Sequence, residues 1–210
     1  MTEIAYKGAN CIVLQTKNTT LVVDPVVPGI KHVKSVDKAH VQLATQEGLS
    51  VPAVEGQRLF MLPGEYEIGD FSVVGVDAVS QLDEQRKAVV YRITNADCSV
   101  AVLGHVNPDS INDEVYEKVG VIDILVLPVG GNGYTIDSHG AAKIVQHMSP
   151  KIVIPVHFDD GVTEYDVTQQ PIDDFVKELG IQPQHEQTLK IKQSSQLPEV
   201  LTLVKLDKTA

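Results

Sequence analysis

Two apolar runs in the second half of the chain, VIDILVLPVGG (121–131) and KIVIPVHF (151–158), constrain the fold most. Neither alternates apolar with polar residues. A short continuous apolar run bounded by glycines suits a strand buried on both faces. Between them, SHGAAKIVQHM puts Ala141, Ile144, Val145 and Met148 on one side of a helix. Strand, loop, helix, strand is a βαβ unit, so the two strands are expected to be parallel. In such units ligands gather beyond the carboxyl ends of the strands. Three polar features fall there: His157 after KIVIPV, the loop GGNGYTID, and His105 at the end of SVAVLGH.

The first half has a different rhythm. EIAYKG, CIVLQT and TLVVDP are short segments separated by turn residues, a meander of three strands. AHVQLAT, RLFMLPG, FSVVGVDAV, AVVYRITN and CSVAVLG continue the β pattern at a spacing that suggests a sandwich or barrel-like sheet. PGEYE between them reads as a turn with exposed acids, and Asp24-Pro25 as a corner at a strand end. DSINDEVYEKVG predicts a helix capped by Asp109 or Ser110 and stopped by Gly120. QPIDDFVKELG predicts another, with Pro171 near its first turn, an Ile172, Phe175, Val176, Leu179 stripe, and Gly180 as its stop. TLKIKQ and EVLTLVKL are expected to close the chain as a hairpin. The fold class is α/β (α+β), a single domain over 1–210.

Composition narrows the function classes. The chain of 210 residues is 43% hydrophobic, enough for one large core. Its 17 basic and 28 acidic side chains give a net charge of −11, with no phosphate-neutralising patch visible. Nucleic acid and anionic membranes are therefore not expected as partners, whereas a small-molecule ligand or self-association is. MTEIAYKGANCIVLQ has neither a basic n-region nor an apolar h-region, so a cytoplasmic protein is expected. Cys11 and Cys98 sit in apolar strand-like segments and read as buried free thiols.

Gly130, Gly131 and Gly133, with Asn132 among them, permit positive φ or a close backbone approach at the edge of a site. Their spacing matches neither a Walker loop nor a dinucleotide fingerprint, so a tight turn is the simpler reading. Two strand-end histidines on one edge, His105 and His157, are the strongest functional signal. His139 follows Asp137 in the loop feeding the helix, where capping by Asp137 or Ser138 competes with a metal role and is favoured. His40 lies in a strand-like run, His32 and His185 in polar connections, and His147 near a helix end.

YKGANCIVLQTKNTTLVVDP resembles the opening of metallo-β-lactamase-fold proteins, and LPGEYEIGDFSVVGV resembles the segment that follows. The stretch from GHVNPDSINDEVYEKVG to SPKIVIPVHF is similar to the branch related to L-ascorbate 6-phosphate lactonase. The resemblance covers roughly residues 4–160 and implies an αββα sandwich with a site at one edge of two packed sheets. Active members of that family carry His-x-His-x-Asp-His after a strand ending in Thr or Ser. Its imidazoles and carboxylate hold two zinc ions and a bridging hydroxide that acts as the nucleophile.

Aligned on Thr45 of AHVQLAT, those positions become Gln46, Gly48, Ser50 and Val51, and no His-x-His occurs anywhere in the chain. The family's later histidine has no counterpart in DAVSQLDEQRK. Its bridging aspartate, which follows a glycine, is replaced at Gly104-His105. Only the last ligand, His157, stands in place. The expectation is a fold member whose dinuclear motif is lost, with no cofactor, serving as a binding or assembly module. The alternative is a hydrolase of the lactone or phosphoester class with one divalent metal, Zn or Mn, on His105, His157 and Asp137 or His139. A third reading is metal-free chemistry or small-molecule binding at the same edge, with His157 as general base.

Overall fold

A computed structural model describes residues 1–30 and 33–209 of the chain. His32, expected in a polar connection, lies outside the described residues. The first sheet is built from β1 (Thr2–Gly8), β2 (Cys11–Gln15), β3 (Thr20–Val23), β4 (Val41–Leu43) and β5 (Arg58–Phe60). The second begins with β6 (Gly64–Ile68), β7 (Phe71–Val79), β8 (Lys87–Thr94) and β9 (Ser99–Val102). Then α1 (Asp113–Val119), β10 (Ile124–Pro128), α2 (Ser138–Met148), β11 (Ile152–Val156) and α3 (Ile172–Leu179) alternate. The last strands are β12 (Gln184–Glu186), β13 (Thr188–Ile191) and β14 (Thr202–Leu206). The strand orders are β13-β1-β2-β3-β4-β5 and β12-β14-β11-β10-β9-β8-β7-β6.

The two sheets pack face to face. Ile4, Ile12, Leu14 and Leu21 of the first meet Tyr91, Ile93, Val126 and Ile154 of the second in one cluster, all essentially buried. At roughly 25 cal/mol per Å², burial of these branched side chains is the main favourable contribution to folding. A second cluster joins the outer face of the larger sheet, through Val90, Leu125 and Val153, to Val115, Ile144, Val145 and Phe175 on the three helices. β10 and β11 are parallel and in register, Ile124 opposite Ile152 through Pro128 opposite Val156, as the βαβ pattern predicts. The outer face of the smaller sheet is covered differently. Cys11, Val13 and Val22 pack under Val27, Val36 and Ala39 of the connection after β3, which carries a 3-10 turn at Lys34–Lys38. Cys11 and Cys98 are buried free thiols, as expected.

Three local expectations are corrected. PGEYE is a strand rather than a turn: β6 pairs antiparallel with β7 from Gly64 opposite Gly75 to Ile68 opposite Phe71. Its acids misled because β6 is an edge strand, where alternate side chains face water and charge deters further pairing. The last two strands form no hairpin. β13 runs antiparallel to β1 in the smaller sheet, and β14 runs parallel to β11 in the larger. The first helix is capped by Asn112, whose side chain accepts from the Val115 amide, not by Asp109 or Ser110. Gly120 and Gly180 end α1 and α3 at positive φ, as anticipated.

Candidate functional site

One edge of the sandwich collects the ends of β4, β9, β10 and β11 and the tight β1–β2 turn. Asp24 and Thr45 lock this edge together. The buried Asp24 carboxylate accepts from the Thr45 amide at 2.7 Å and from its hydroxyl at 2.6 Å. Burial pushes the Asp24 carboxyl up to about 7, against those two bonds. Gly104 lies so close to Thr45 that a Cβ there would sit 1.9 Å from the Thr45 hydroxyl oxygen. That approach carries the next residue, His105, to the edge.

His157 follows β11 directly and adopts φ 51°, an uncommon left-handed conformation for a non-glycine residue. Its amide donates to the Ala9 carbonyl at 2.9 Å, tying it to the β1–β2 turn. Its ring meets that of His105 edge-on, with centroids 4.7 Å apart. Both imidazoles are buried and each is fixed through Nδ1. His105 Nδ1 donates to the Tyr134 carbonyl at 3.2 Å. His157 Nδ1 donates to Gln169 Oε1, also at 3.2 Å, and Gln169 Nε2 in turn donates to the Val167 carbonyl. With Nδ1–H engaged by oxygen acceptors, each ring keeps its lone pair on Nε2. Burial lowers the His105 pKa to about 4. Burial, and then the neighbouring His105, lowers that of His157 to about 3. Both rings are therefore neutral at pH 7.

These rings line an open cavity of about 670 Å³, with Asn10, Gly48, Tyr134 and Tyr165 around them and the exposed Glu164 and Asp166 at its mouth. Tyr134 packs edge-on against His105 at 4.9 Å, and Tyr165 lies tilted against His157 at 4.6 Å. Burial raises the pKa of both tyrosines, to about 12 for Tyr165, so their phenols stay protonated.

A family model described as a beta-lactamase superfamily domain matches residues 3–157. The chain belongs to that family. The two packed sheets are those of the metallo-β-lactamase fold. A metallo-beta-lactamase superfamily protein from Thermotoga maritima is 24% identical, with 98% of each chain covered and a TM-score of 0.75. Igni18, a metallo hydrolase from Ignicoccus hospitalis, is 14% identical over 100% of this chain and 97% of its own, with a TM-score of 0.65. The metallo-beta-lactamase fold protein YhfI from Bacillus subtilis is 9% identical over 97% and 96%, with a TM-score of 0.60. At these identities the likeness carries the fold and no particular reaction. No curated protein matched the sequence.

The family motif positions are dispersed in this chain. Gln46 is engaged, its Oε1 accepting from the Ser80 hydroxyl at 3.0 Å. Gly48 lines the cavity without a side chain. Ser50 points elsewhere, its hydroxyl 3.6 Å from the Met61 sulfur. Val51 packs on the cluster outside the smaller sheet.

His105 and His157 are brought together, and the other predicted ligands do not join them. Asp137 caps α2, its Oδ1 accepting from the Gly140 amide at 2.7 Å, and it stays exposed. His139 is exposed and lies 3.5 Å from Glu178. A metal role for either would require breaking these arrangements. Among the described residues, no three His, Cys, Asp or Glu side chains are grouped to hold a metal ion. No helix among them is long and apolar enough to cross a membrane.

The glycine loop shapes the wall behind the histidines. A Cβ on Gly130 would meet both Gln169 Oε1 and the His157 carbonyl at 2.3 Å, so this close approach needs glycine. Gly131 and Gly133 have positive φ, as does Asn132 between them, which makes this a tight turn. Sequence reasoning missed Asn10, in the β1–β2 turn, and Tyr165 and Gln169, both in the connection between β11 and α3. Their only signal was proximity to strand ends that the fold then gathers.

Proposed function

We propose that this protein is a non-hydrolytic binding module on the metallo-β-lactamase fold, in which the dinuclear metal centre has given way to a small-molecule cavity. The donor set supports this reading. A catalytic zinc needs three protein ligands and an open position, and a second ion needs ligands of its own. At the corresponding positions the chain offers a hydrogen-bonded amide, a glycine, a serine directed at Met61, a valine, and imidazole in place of the bridging acid. These do not fit two zinc ions. The observation that carries the proposal is the pair of neutral imidazoles, each held through Nδ1 so that its lone pair stays on Nε2, both lining a cavity of about 670 Å³.

The same pair also favours a second reading. Two Nε2 lone pairs are good ligands for one divalent ion, Zn or Mn, whose remaining positions water would fill. The chain would then be a mononuclear hydrolase of the lactone or phosphoester class.

Elemental analysis of protein purified without chelator or immobilised metal separates the two. The binding-module reading expects well under one Zn or Mn per chain and no turnover of a lactone and phosphodiester panel. One equivalent of metal, lost in His157→Ala, overturns it in favour of the mononuclear site. Turnover without metal, abolished by His157→Ala, overturns it in favour of general-base chemistry.

A further inference from the structure

The chemistry lining the cavity selects among ligands. Four ring systems, those of His105, Tyr134, His157 and Tyr165, form much of its wall. With Nδ1 of each histidine donating elsewhere, both imidazoles offer an acceptor. Two exposed carboxylates, Glu164 and Asp166, stand at the mouth. No lysine or arginine is among the described residues that line it.

A separate observation points to an occupant. Asn10 is 3% exposed and lines the same cavity, and neither its amide nitrogen nor its amide oxygen has a hydrogen-bond partner among the described residues. Leaving both ends of a buried amide unmade is costly, because each group has given up water without gaining a partner. Native structures keep such groups mainly where something else completes them. A ligand carrying N–H donors would pair with Asn10 Oδ1.

We propose that this cavity binds a small organic cation, a protonated amine, whose N–H groups donate to His105 Nε2, His157 Nε2 and Asn10 Oδ1. Its carbon skeleton lies against the rings of Tyr134 and Tyr165, and Glu164 and Asp166 draw its charge. The rings add cation–π attraction, whereas an anion would meet acceptors, ring faces and carboxylates. The net charge of −11 acts in the same direction. This inference deepens the binding-module reading and rests on it, since a metal on the two Nε2 atoms would occupy the same acceptors.

Three probes of one shape and different charge test it: benzylammonium, benzyl alcohol and benzoate, titrated by calorimetry into chelator-treated full-length protein at low salt. Benzylammonium is expected to bind about tenfold more tightly than benzyl alcohol, and benzoate more weakly than either. Asn10→Leu is expected to weaken benzylammonium about tenfold without lowering the thermal midpoint, because an unpaired amide is replaced by an apolar side chain of similar size.

The exposed pair Glu164→Gln and Asp166→Asn is expected to reduce the preference for the cation severalfold while leaving the fold intact. Equal affinity for all three probes, a preference for benzoate, binding of none, or a preference unchanged in both variants overturns the proposal. Metal content measured on the same preparation keeps the two failures apart. No metal with no amine preference refutes only the cation inference, whereas one equivalent of metal refutes the reading beneath it.

Discussion

Three buried titratable groups at the site edge should give the protein an unusual pH dependence of stability. His105 and His157 titrate near 6.5 when unfolded and at about 4 and about 3 when folded. Their contribution is complete above the unfolded value and is lost as pH falls through 6.5 towards those folded values. Asp24 acts oppositely. Its folded carboxyl titrates at about 7 against roughly 3.9 unfolded, so its neutral form favours folding at low pH and that contribution is lost as pH rises towards 7.

Between pH 5 and 6 the unfolded chain holds nearly two extra protons on the histidines, and the folded chain holds about one extra on Asp24. The net difference is close to one proton, worth about 1 kcal/mol of stability lost per unit of acidification. Asp24→Asn removes the opposing group, and the slope should steepen to about 2 kcal/mol per unit. His157→Asn, a residue that tolerates the φ of 51°, should flatten it to near zero.

Urea unfolding of chelator-treated protein at pH 5.0, 5.5 and 6.0 (values chosen for the window these pKa values define) measures the slopes directly. Comparing slopes removes the pH-independent cost of each substitution. If Asp24→Asn and wild type lose stability in parallel, Asp24 is ionised in the fold, and burial does not outweigh its two bonds from Thr45.

Other expectations concern packing at and behind the site. Gly104→Ala would drive a methyl against the Thr45 side chain, which Asp24 holds in place, and should cost about 3 kcal/mol in urea unfolding. Phe175→Ala empties a fully buried position between α3 and the larger sheet and should cost about 3–5 kcal/mol by the same assay. Gln169→Leu strands the buried His157 Nδ1–H; it should cost about 1–3 kcal/mol, and nitrogen shifts of the imidazole should report loss of the single tautomer. An unchanged tautomer would mean that Gln169 does not orient the ring.

What could be read from the sequence follows from how local each cause is. The βαβ unit was legible because burial on both faces forces β10 and β11 to be apolar throughout, whatever lies around them. β6 was not, because Glu65 and Glu67 occupy the exposed alternate positions of an edge strand, where charge and strand are compatible. The final strands look like a hairpin in isolation, yet each finds a better edge elsewhere, β13 beside β1 and β14 beside β11. Partner choice is a property of the whole sheet and leaves no mark on the segment itself.

The site divides in the same way. His105 and His157 announce themselves as polar residues ending apolar strands, so their meeting at 4.7 Å could be anticipated. At Asp137 capping competes with a metal role and is the favoured reading, and the start of α2 does take its carboxylate. Asn10 and Gln169 carry no such signal, although Gln169 sets the tautomer of His157 and Asn10 sits unpaired in the cavity wall. The histidines are thus local to their strands, whereas the residues around them come from two distant segments, the β1–β2 turn and the connection between β11 and α3. A substitution at Asn10 should therefore change ligand choice without disturbing the histidines.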